Sequence, residues 1–184
     1  MKELEDGWIV EVSAFRIRFA SVGWPDDDGK ARRRAAGRCS PLILDEWGTD
    51  IALSLGDVCL VGHHAGEFGG DVSVYDPRSR TRERLVRYAH PKRFVVAGDG
   101  SVLVLEGLAH FMDSGNVRRV RRLGDGRWTT EAVVGDLGGN PMGWTREAEG
   151  TLLLLVREQD KACSAEPSYV VLRVGPGRRV EALE

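Results

Sequence analysis

Short apolar runs alternate with glycine-rich or charged turns along most of the chain. Near the N-terminus, Phe15, Ile17 and Phe19 alternate with Arg16 and Arg18, the period-two signature of a strand with one buried face. Residues 23–41 break the pattern. Trp24-Pro25, three aspartates, Gly29 and an arginine/alanine stretch leave little to bury, so the sequence predicts a surface loop, with strand character returning at Leu42, Ile43 and Leu44. From Asp50 onward the pattern repeats. Residues 50–55 pair with 58–61 across Gly56-Asp57, and 72–75 with 81–86 across 76–80. Residues 93–97 pair with 101–106 across Gly98-Asp99-Gly100, and 117–123 with 128–134 across Gly124-Asp125-Gly126. Residues 144–148 pair with 151–157 across Glu149-Gly150, and 169–174 with 179–183 across Gly175-Pro176-Gly177.

Each unit holds four short strands, and Gly56, Gly100 and Gly150 recur at intervals of 44 and 50 residues. Tight hairpin turns need positive φ, which glycine adopts cheaply. Overlaying Val120–Arg127 on Val171–Arg178 brings the turn glycines into register. Four strands per repeat at this spacing is the pattern of a propeller blade. A plain antiparallel meander, barrel or sandwich wants the same turns and stays open as the alternative. The expected fold is all-β and propeller-like, one domain with about four blades of four-stranded antiparallel sheet. Residues 8–44 would form a partial first blade carrying the 23–41 loop, followed by blades at 45–87, 88–135 and 136–184. So few blades sit at the lower limit of a closed ring. An open half-propeller is therefore the second form of the expectation, its ends covered by homodimerisation or by a partner.

Composition narrows the function classes. The 184 residues carry 42% hydrophobic and 29% charged side chains with a net charge of −2, a soluble balance with no global field for nucleic acid or membrane. Local clusters, Arg32, Arg33, Arg34 and Arg38 and then Arg118, Arg119, Arg121 and Arg122, lack interleaved aromatics and read as solvated surface. Cys39, Cys59 and Cys163 are odd in number and widely spaced, so neither a disulfide framework nor structural zinc is expected, and Cys59 reads as a small core residue. Acids near Met1 do not suit a signal peptide, and no apolar run reaches membrane-span length, so the cytoplasm is the expected compartment. No dinucleotide, Walker or nucleophile-elbow motif is present, and no cofactor is expected.

In a four-strand repeat the short turns fall at one end of the sheets and the longer connections at the other. All four histidines, His63, His64, His90 and His110, fall in the longer set, together with Glu67, Phe68, Phe111, Met112 and Asp113. Apolar Phe and Met beside polar groups is the composition of a protein contact patch, so these nine residues are the expected partner-binding site, with no catalytic residue or metal ligand assigned. The alternative is a metal-assisted hydrolase or lyase. His63 or His64 with Glu67, and His110 with Asp113, make imidazole–carboxylate pairs that bind metals and move protons.

The four-strand units over residues 42–184 resemble the β-propeller superfamily, without the Trp-Asp and Gly-His signature of the WD40 repeat or the double glycine of kelch. Gly66-Glu67-Phe68-Gly69-Gly70, set between two blade-like strands, resembles small bacterial propeller-like proteins, some of which neutralise toxins encoded beside them. That resemblance implies an immunity protein whose partner is a toxin.

Overall fold

The computed structural model describes residues 2–4, 7–12, 15–21, 39, 49–109, 113–147, 151–158, 167–175 and 180–183. Loop 23–41 apart from Cys39, the strand expected at 42–44, the 149–150 turn, and His110, Phe111 and Met112 lie outside these residues.

Fifteen strands are described: β1 Lys2–Leu4, β2 Gly7–Val12, β3 Phe15–Ser21, β4 Ile51–Leu55, β5 Val58–His64, β6 Gly70–Asp76, β7 Thr81–Arg87, β8 Pro91–Val96, β9 Val102–Ala109, β10 Asp113–Arg122, β11 Trp128–Val134, β12 Gly139–Arg146, β13 Leu152–Glu158, β14 Tyr169–Val174 and β15 Val180–Leu183. They form three antiparallel sheets. Sheet one has the order β4-β5-β6-β7, sheet two β11-β10-β9-β8, and sheet three β1-β2-β3-β12-β13-β14-β15. The three repeated units are thus the three sheets. The N-terminal strands make no sheet of their own; β3 pairs with β12 through Ser21–Gly143 and Ala20–Trp144, widening sheet three to seven strands. Strand character is local, but the choice of neighbour is not, which is why the sequence suggests about four units where the described residues form three sheets. Among the described residues no α-helix occurs, and no helix is long and apolar enough to cross a membrane.

Alternation along the middle strands explains the layering. On β9, Val102 and Val104 join Val58, Leu60, Val72 and Val74 of sheet one, while Leu103 and Leu105 join Leu152, Leu154, Val156, Leu172 and Val174 of sheet three. Sheet two is therefore apolar on both faces and lies between the other two. On β13, Leu153 and Leu155 face the other way, against Val171, Ile17 and Tyr169. A strand covered on both sides reads as a continuous apolar run, which accounts for Leu152–Val156. Each fully buried Leu or Val contributes about 1.5–3 kcal/mol. Among the described residues no core cluster joins sheet one to sheet three, so the stack is open.

The outer face of sheet one holds the principal correction to the sequence reading. Cys59 is not a free core thiol: it forms a disulfide with Cys39, 20 residues away. The pair is buried with Val61 and Tyr75, with half-buried Ala52 packed against them, so the disulfide ties Cys39 to the sheet. Cys39 stands in a polar stretch with no periodicity, and nothing in the spacing announced its partner.

Two bulges matter for the site. In sheet two Pro91 opposes Glu106 and Arg93 opposes Leu105, leaving Lys92 extra. In sheet three Pro141 opposes Val156 and Gly143 opposes Leu155, leaving Met142 extra. Each bulge follows a proline, which lacks the ladder N–H and is tolerated there.

Candidate functional site

The expected short turns take the conformation glycine permits, with φ of 81° at Gly56, 78° at Gly100 and 87° at Gly126. At the opposite end the longer connections interlock through the backbone. Ala89 N–H donates to the Gly70 carbonyl, Gly107 N–H to the His90 carbonyl, and Leu137 N–H to the Gly115 carbonyl. Gly69 lies against the backbone of Tyr88 so closely that a Cβ there would meet Tyr88 Cα at 3.0 Å.

Of the nine expected residues, six are described, and they do not form one cluster. His64 and His90 come together, their rings 5.3 Å apart and tilted by 55°, bridging sheets one and two. Gly66 N–H donates to His64 Nδ1 at 3.0 Å, which makes Nδ1 the unprotonated nitrogen. Burial pushes the pKa of both imidazoles down; the backbone of Gly107 opposes this at His64, and the Glu106 charge opposes it at His90. His63 is sent to the other face of β5 by the pleat, where its Nδ1 lies 3.3 Å from the Asp50 carboxylate. That carboxylate also accepts the His64 backbone N–H at 2.6 Å. The two adjacent histidines are therefore not one site.

Glu67 and Phe68 lie together on a single 3-10 turn between β5 and β6. Both are exposed, Phe68 by 82%. Asp113 stands apart from all of these. It opens β10 and is held by Arg157 of sheet three through two bonds, Nε at 2.5 Å and Nη2 at 2.7 Å, so its carboxylate is engaged in a fork-like ion pair.

The sequence reading missed Lys92, Glu106 and Tyr88. Lys92 is 3% exposed, turned inward by its bulge, and its Nζ donates to Asn140 Oδ1 at 2.8 Å across the junction of sheets two and three. Burial, with the Arg157 charge adding to it and Asp113 opposing it, lowers its pKa to about 8. Glu106, also buried, accepts from Arg118 Nε at 2.9 Å and Asn116 Nδ2 at 3.2 Å. Lys92 stands between Pro91 and Arg93 in the sequence, so only the Pro-Lys-Arg bulge position could have marked it. Tyr88 is 81% exposed at the end of β7, beside the loop that carries Phe68.

This end of the molecule therefore has two layers. Inside, polar groups bolt sheet to sheet. Among the described residues no group of three or more His, Cys, Asp or Glu is placed to hold a metal ion. Outside, two aromatic rings on adjoining loops project into solvent.

No protein-family model matches the chain, and no curated protein shows significant similarity to it.

Proposed function

We propose that the chain is a protein-binding module, an open propeller-like arc whose long-connection end receives the partner. One observation carries this reading: Phe68 and Tyr88, 82% and 81% exposed, stand on neighbouring loops anchored by the Gly69–Tyr88 approach. Leaving two large apolar rings in water is unfavourable, and paired exposed aromatics at a polar rim are the composition of binding hot spots. The rigid backing of interlocked loops beneath them lowers the ordering cost of binding. The metal-assisted alternative has less support, since Asp113 is already engaged by Arg157.

The narrower form of the proposal makes the partner a toxin that the chain neutralises; its support is the resemblance of residues 66–70. Isothermal titration of the product of the adjoining reading frame against the wild-type chain and Phe68→Ser tests both. Tight binding weakened by about 2 kcal/mol in the variant is expected, the size of one hot-spot truncation. Equal affinity contradicts the assigned face, and no binding by any adjoining product contradicts the toxin form.

A further inference from the structure

We infer that the outer edge of β7 takes an acidic, extended segment of the protein partner as an added strand. The inference rests on the partner-binding reading above and extends it by naming the partner's chemistry.

Among the described residues β7 is the last strand of sheet one and pairs with β6 alone, so its other side presents a row of backbone donors and acceptors. The stretch 76–88 carries five arginines against two acids in a chain of net charge −2. Arg78, Arg80, Arg84 and Arg87 are all exposed. Asp71 holds Arg82 closely, at 2.6 Å, and meets Arg84 only at 3.5 Å. A basic strip of this kind complements an acidic segment, and an extended one satisfies the open ladder as well.

The second observation is backbone strain. Among the described residues only two other than glycine have positive φ: Arg80 at 56° and Tyr88 at 57°. They bracket β7, one at each end. A side chain in this left-handed region carries a cost that glycine avoids, and for a bulky residue it is a real outlier. Both side chains are exposed, so no burial within the chain offsets that cost. Strain of this kind persists at ligand clamps, and Arg and Tyr are among the residues enriched at binding hot spots. Edge arginines also discourage sheet-to-sheet aggregation, but that role gains nothing from a left-handed Arg80 or Tyr88. RNA is the rival ligand for arginines beside an aromatic ring. The open backbone ladder favours a peptide, because only a strand can pair with it.

The test measures fluorescence anisotropy of a labelled peptide of alternating Glu and Val, the same peptide N-methylated at every residue, and an oligouridine RNA. Each is titrated with the wild-type chain, with Arg84→Glu/Arg87→Glu, and with Tyr88→Gly. Expected are binding of the plain peptide and a loss of at least about tenfold on N-methylation and in the double variant. Tyr88→Gly weakens binding while raising the melting temperature by about 2–4 °C, because strain is relieved. Equal binding of the N-methylated peptide, equal binding by the double variant, or tighter binding of the RNA overturns the inference. The adjoining gene product separates this inference from the reading it rests on. If that product still binds the double variant but not Phe68→Ser, the β7 assignment fails and the partner-binding reading stands; if it binds neither the wild type nor any variant, both fail.

Discussion

Lys92 is the residue whose energetics are most exposed to experiment. Its amine is buried against Asn140 with a pKa lowered from 10.5 to about 8. Between those values the unfolded chain holds a proton that the folded chain has released, so stability rises with pH across that window. Below it both states are protonated, and the full cost of burying the charge is felt. The ceiling on this effect is about 3 kcal/mol. Denaturant unfolding at pH 7.5 and 9.5 is expected to show a gain in stability for wild type that is absent in Lys92→Met; parallel behaviour of the two proteins would contradict the burial argument. None of this was legible in the sequence, where Lys92 sits between Pro91 and Arg93 like any surface cation. The sequence pattern assigned all four histidines to long connections, whereas His63 and His64 close strand β5 and are separated by it. The pleat of β5 divides His63 from His64 and pairs the latter with His90.

At the scale of elements, the strands and turns were readable because each rests on a local rule: alternation for the strands and positive φ at Gly56, Gly100 and Gly126 for the turns. Bulges and partners were not. The extra residues Lys92 and Met142 occupy matching places after Pro91 and Pro141, yet a one-residue insertion leaves the hydrophobic pattern nearly intact while re-aiming the side chain. The attachment of β3 to β12 depends on which edge is open in the folded molecule, and no local pattern records that. Close approach of chains is another element-scale property. A Cβ on Gly139, the first residue of β12, would collide with the carbonyl of Arg157, whereas one on Gly124 meets nothing within 4 Å. Gly139→Ala is expected to cost roughly 2 kcal/mol or more, as backbone strain does at such sites, and Gly124→Ala to stay within about 0.5 kcal/mol of wild type. Similar thermal unfolding of the two variants would show that β12 and β13 pack less closely than described.

For the whole molecule, three sheets share two apolar interfaces, and sheet two is the layer both depend on. Polar bolts cross each junction: His64 against His90 and Arg122 with Asp57 between sheets one and two, Lys92 with Asn140 and Arg157 with Asp113 between sheets two and three. Of the groups that looked like chemistry in the sequence, His64, His90 and Asp113 thus lie at the junctions between sheets, and the proposed recognition surface is the aromatic pair and the strip beside it. A disulfide such as Cys39–Cys59 persists where the surroundings are oxidising. The central claim is that recognition occurs at the long-connection end. Hydrogen exchange of the chain, free and bound to its partner, tests this most directly. The account predicts new protection over residues 65–70 and 81–90. Protection confined to the short turns at 56–57, 98–100 and 124–126 would contradict it.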